Sequence, residues 1–165
     1  MDTAITGLII ITLLVLSVLT ISESYLSSQD AVAESWQEME ERLGDRARTD
    51  LSPVSAQTIS SGAVVEVTLR NEGDTKLADF DQWDVILQYY GNDSGYYARW
   101  YPYGTGVNEW DVYDILLDTF EPDILNPGEE MVIWISVSPA VLAGSTNLAT
   151  IATPNGITAS TVFTR

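Results

Sequence analysis

The sequence has no cysteine and no histidine in its 165 residues. Without cysteine there is no disulfide and no thiolate chemistry, although the redox compartment stays open, because exported proteins also lack cysteine. Without histidine the chain lacks the commonest general base and the commonest transition-metal ligand. Basic residues are scarce: seven Lys and Arg stand against 24 Asp and Glu, a formal net charge of −17. Such a surface repels a phosphate backbone and excludes nucleic acid as a partner. It also suits solubility in salty water. Catalytic motifs are missing too. There is no Gly-x-Ser-x-Gly elbow, and Gly104-Thr-Gly106 falls far short of a phosphate-binding loop. Carboxylates are plentiful, but nothing singles out a pair for general acid–base work. We therefore expect no catalytic residue, no cofactor and no enzyme.

Charge is also missing from Thr3 to Ser22, TAITGLIIITLLVLSVLTIS. As a helix these residues span about 30 Å, the thickness of a bilayer's hydrocarbon core. Leu, Ile and Val lie on every side, so the helix needs lipid or other protein around it. It is either a plain membrane anchor or a helix that begins in a membrane and ends inside a polymer. A secretory signal peptide opens with basic residues and ends at a small-residue cleavage site. Here Met1-Asp2 is acidic, and the apolar run continues directly into a further helical pattern.

In that continuation Tyr25, Gln29, Val32, Trp36, Met39 and Leu43 recur at alternating spacings of four and three, an a/d seam. Glu23, Asp30, Glu34, Glu38, Glu40 and Glu41 occupy the other faces, and Arg42, Arg46 and Arg48 sit where cations favour a helix end. The pattern predicts one helix from Asp2 to about Arg46, and Thr49 to Pro53 reads as a linker. Beyond it the period becomes two. Val65, Val67 and Leu69 alternate with Glu66, Thr68 and Arg70; Trp83, Val85, Leu87 and Tyr89 alternate inward; and Tyr96 to Tyr101 returns as a hairpin partner after Gly91-Asn-Asp-Ser-Gly95. Glu109 to Phe120 fits a strand through Trp110, Val112 and Leu116, or a helix face through Trp110, Tyr113, Leu117 and Phe120. Met131 to Ser138, Leu148 to Thr153 and Ile157 to Thr164 read as strands. The expected fold class is α+β: one long hydrophobic helix (residues 1–48), then an all-β, immunoglobulin-like sandwich (residues 49–165).

Three features of the sandwich are candidate sites. Asp79-Phe-Asp-Gln-Trp-Asp84 offers oxygens to calcium but lacks EF-hand spacing, so a solvated acidic loop is the better account and we assign no metal. Asn92-Asp-Ser94 is an N-glycosylation sequon in the expected hairpin turn. The aromatics from Trp83 to Trp110 favour the core, with Tyr90, Tyr97 and Tyr101 left to meet neighbours. Acids crowd the middle of the domain, whereas Met131 to Thr164 carries no charge at all. Those strands are either covered by a neighbour or merely faced with Thr and Ser.

An uncharged N-terminal helix, an acidic a/d continuation and a cysteine-free sandwich together resemble the archaellins, the archaeal-type flagellins related to type IV pilins at their N-termini. Gly7 within the apolar run, Val67-Thr-Leu-Arg-Asn-Glu-Gly73, Asp79-Phe-Asp-Gln-Trp-Asp-Val85, Leu125-Asn-Pro-Gly-Glu129 and Thr153-Pro-Asn-Gly-Ile157 carry the likeness. The last two also resemble the archaellum stator proteins F and G, which have a similar anchor and sandwich. Most type IV pilins carry glutamate at mature position 5; Ile5 stands here, as archaellins commonly allow.

The resemblance implies that a prepilin-type peptidase removes a short basic leader before Met1. It implies the major subunit of a motility filament at the cell surface, a homopolymer of identical chains that is membrane-inserted before assembly by the archaellum motor and assembly machinery. Ile5, Leu8, Ile9, Ile10, Leu13, Leu14, Leu16 and Leu19, with Val32, Trp36, Met39 and Leu43, would be the polymerising surface. The alternatives are a stator-type anchored protein whose sandwich binds the surface layer, and an adhesive type IV-like pilin.

Overall fold

The computed structural model describes residues 2–165, which fall into two units divided between Leu43 and Gly44. Helix α1 runs over Asp2–Arg48, 47 residues. Three hydroxyls of its apolar run are satisfied within the helix. Thr12 donates to the Leu8 carbonyl at 2.9 Å, Ser17 to Leu13 at 2.8 Å and Thr20 to Leu16 at 2.9 Å. Back-bonding of this kind lets a hydroxyl sit in an apolar stretch without an unpaired donor facing lipid. Near its end, Arg48 pairs with Asp45 at 2.8 Å and also donates to the Gly44 carbonyl.

The second unit is two four-stranded antiparallel sheets. The first orders β1 (Leu51–Ile59), β2 (Val64–Asn71), β6 (Glu130–Ser136) and β5 (Trp110–Leu116) as β1-β2-β6-β5. The second orders β4 (Tyr96–Tyr101), β3 (Asp84–Tyr90), β7 (Thr146–Ala152) and β8 (Thr158–Thr164) as β4-β3-β7-β8. The α+β plan of one apolar helix followed by a sandwich therefore holds. The inward faces meet in one core: Val65, Val67 and Leu69 from β2, Val85, Leu87 and Tyr89 from β3, Met131, Ile133 and Ile135 from β6, and Ala149 and Ile151 from β7. Burial alternates strictly along these strands, as their period-two sequences require.

One expectation is corrected, and one alternative left open by the sequence is resolved. Thr49 to Pro53 is not a linker: Thr49 and Leu51 are buried, and Leu51 opens β1 against Asn71 of β2. Within the Glu109 to Phe120 stretch, Trp110–Leu116 is a strand. A bulge between Val112 and Asp114 shifts its phase, so Trp110 and Ile115 both face inward while Tyr113, Leu117 and Phe120 are exposed and form no helical face.

Candidate functional site

Along α1 the expected polymerising residues Ile5, Leu8, Ile9, Ile10, Leu13, Leu14, Leu16, Leu19, Val32, Trp36, Met39 and Leu43 each lie between 52% and 68% exposed. A soluble monomer does not tolerate such a surface, since exposing each Leu or Ile costs roughly 1.5–3 kcal/mol. Among the described residues, α1 is the one helix long and apolar enough to cross a membrane. Its apolar surface has two parts. Up to Ile21 it is apolar on all sides; from Tyr25 to Leu43 it narrows to the seam, flanked by Glu23, Asp30, Glu34 and Glu38. The first part suits lipid or a fully protein-lined core, and the second suits a partner helix or an interface with water on one side.

The aromatics of the sandwich divide differently from the sequence expectation. Trp83, Tyr89, Tyr101 and Trp110 are buried, so Tyr101 does not meet a neighbour. The β3–β4 register explains it: Tyr101 pairs with inward-facing Val85, and Tyr97 pairs with inward-facing Tyr89 and stacks on it at 5.4 Å. Burial pushes the Tyr101 phenol far above its ordinary range. The exposed members are Tyr90, Tyr96, Trp100 and Tyr103. The indole N–H of Trp100 donates to Asp84 Oδ1 at 2.8 Å, so the last carboxylate of the Asp79–Asp84 stretch is engaged by a tryptophan. Among the described residues no group of three or more acids converges as a metal site.

The turn at Asn92 is exposed and ordered by its neighbours. Gly91 N–H donates to the Gly95 carbonyl at 2.8 Å, Asn92 N–H to Ala140 at 2.8 Å, and Gly95 N–H to Asp93 Oδ1 at 3.0 Å. The Tyr97 hydroxyl also donates to Asp93, and this bond, with the Gly95 amide, holds the Asp93 carboxyl below its usual range.

Sequence reasoning did not single out the surface beside β5. Tyr113 stacks on Trp134 with ring centroids 3.7 Å apart, and the Trp134 indole donates to Glu66 at 2.9 Å. Beyond the strand, Leu117 is 88% exposed and holds a left-handed backbone at φ 62°. Phe120 is exposed below Lys76, which also pairs with Glu121. The bulge hid this surface by breaking the alternation that marks outward residues.

No protein-family model and no curated protein matches the sequence. Solved structures do. The chain is similar to the archaellum periplasmic stator protein FlaG from Sulfolobus acidocaldarius, with TM-score 0.56 and 26% identity, covering 70% of this chain and 99% of that one. It is similar to a chain of the archaellum periplasmic stator protein complex FlaF and FlaG from the same organism, with TM-score 0.53 and 25% identity over 68% and 87%. It shares the fold of a chain of the archaeal flagellum of Methanospirillum hungatei strain JF1, with TM-score 0.61 and 15% identity over 97% and 92%. The structural neighbours are thus archaellum components.

Proposed function

We propose that the chain is a non-enzymatic structural component of an archaellum, of the stator type. The start of α1, up to about Ser22, anchors it in the membrane, and the sandwich stands outside the membrane to hold a stationary partner. The observation that carries this reading is the 26% identity to the stator protein FlaG across 99% of that chain. The exposed, internally hydrogen-bonded apolar segment supports an anchor: each buried Leu or Ile side chain contributes on the order of 1.5–3 kcal/mol to membrane retention. Residues 1–48 serve as anchor and stalk and 49–165 as the outer domain, with Asn92 a surface acceptor for an N-linked glycan.

A second reading, the major subunit of the filament, has its own support. α1 runs unbroken from the apolar segment into the seam at Val32, Trp36, Met39 and Leu43, all exposed. A homopolymer would bury both parts at its axis, exchanging lipid contact for protein contact, and copies meeting head-to-tail without closure would form a helical filament.

Shearing filaments from cells that make the protein separates the two. A stator stays with the membrane fraction, in few copies per filament. Recovery of the chain as the principal component of the sheared filaments would overturn the stator reading and establish the filament subunit.

A further inference from the structure

The two outer faces of the sandwich differ in charge. The β1-β2-β6-β5 face presents Glu66, Arg70, Asp111, Asp114 and Glu130. On the β4-β3-β7-β8 face the alternate outward residues of all four strands include one charged side chain, Asp84, and it is bonded to Trp100. Arg99 has the opposite parity on edge strand β4; its guanidinium stacks over Tyr97 at 4.5 Å and donates to the Ser138 carbonyl at 3.0 Å. The face instead carries Ile86, Tyr90, Tyr96, Trp100, Leu148 and Val162, with Thr and Ser between them.

In a chain of net charge −17 this distribution selects a partner. A cationic partner is drawn to the acidic remainder of the molecule. Another copy of the chain is repelled everywhere that acids are dense, and can approach closely only where they are missing. We propose that the outer face of the β4-β3-β7-β8 sheet is a self-association surface, packing against the same face of a second copy. The contact is isologous, sheet on sheet, as two sandwich layers pack. Four strands of about seven residues give a projected area of roughly 450 Å². That is below the ~800 Å² per partner of a standard interface, so the pairing is weak in dilute solution and forms where the protein is concentrated in a membrane. The inference rests on the stator reading above, since an isologous contact closes a pair and does not propagate a head-to-tail filament.

The absence of cysteine makes the test clean. The full-length chain carrying Thr150→Cys, near the centre of the face, is reconstituted in phosphatidylcholine vesicles and treated with a short bis-maleimide. Thr68→Cys, on the outer face of the other sheet, reports chance or helix-driven encounters. We expect covalent dimers from Thr150→Cys in large excess over Thr68→Cys. Adding Val162→Glu or, separately, Trp100→Glu places like charges opposite each other and lowers the yield by at least about tenfold, while near-ultraviolet dichroism shows the sandwich folded. Equal yields at the two positions, no dimer from Thr150→Cys, or a yield unaffected by both glutamates would overturn the proposal. The face would then belong to a different protein or to none.

Discussion

The hydroxyl of Thr49 donates to the Asp45 carbonyl at 2.8 Å and accepts from Asn155 Nδ2 at 2.7 Å, joining the end of α1 to the β7–β8 turn 106 residues later. Asn155 is held in turn by Thr153. A buried hydroxyl with both roles filled fixes where the chain leaves the helix. Asn155→Ala and Thr49→Val should each lower the unfolding free energy of the sandwich by about 1–2 kcal/mol, and the double variant by clearly less than the sum. Additive losses in a denaturant titration would show that the two side chains act independently.

Gly73 supports the same junction from the other side. Its amide and that of Glu72 donate to the Asp50 carbonyl at 3.2 and 2.9 Å, and Asp74 N–H donates to Arg48 at 2.8 Å. A Cβ at Gly73 would strike the Arg48 carbonyl and the Asp50 amide, both backbone and neither free to move. Gly128 differs: it needs a left-handed φ of 84°, but the space around it is open. Gly73→Ala should therefore cost at least about 2 kcal/mol, and Gly128→Ala about 1. Thermal melts of the two variants giving the reverse order would contradict this packing.

Charge in the apolar half of α1 should break anchoring and leave the sandwich intact. Aspartate at the centre of a spanning helix costs about 2.5–3.5 kcal/mol. Ile10→Asp or Leu14→Asp should move protein out of the membrane fraction, and the double change should do so more completely. The sandwich melt should not change, because its core draws on no residue before Leu51. Normal membrane retention, or normal filaments, from the double variant would sink the role assigned to this helix.

Asp111 offers a pH test. It faces outward from β5 opposite Trp134, where burial pushes its carboxyl pKa up. A raised pKa in the folded state means the fold favours the protonated form. That contribution is fully present below the unfolded value of about 3.9 and is lost as pH rises through the folded one. Asp111→Asn should raise the melting temperature at pH 7 and have little effect near pH 3. A shift of equal size at both values would exclude this cause.

How much was legible in the sequence follows from which signals are local. The apolar run at Thr3 to Ser22 and the period-two strands β2, β3 and β6 announce themselves, because each carries its own pattern. Strand β1 did not: Leu-Ser-Pro-Val-Ser-Ala-Gln-Thr-Ile is an edge strand with a proline and a bulge at Pro53/Ser55, and its pairing with β2 decides its structure. Strand β5 was ambiguous because its bulge puts Trp110 and Ile115, five residues apart, on one face. The parity of Tyr97, Tyr101 and Trp100 depends on the hairpin register with β3, which no single strand reveals. The neutral end of the chain was visible as composition. That it gathers on one sheet face with Trp100 and Tyr96 required the strand order.

The most direct test of the proposed role is electron microscopy of the purified full-length chain after detergent is removed in the presence of lipid. The stator reading predicts protein that remains in vesicles as discrete particles, with sandwiches projecting from the surface. Uniform helical filaments with α1 at their axis would contradict it and make the chain the filament's own subunit.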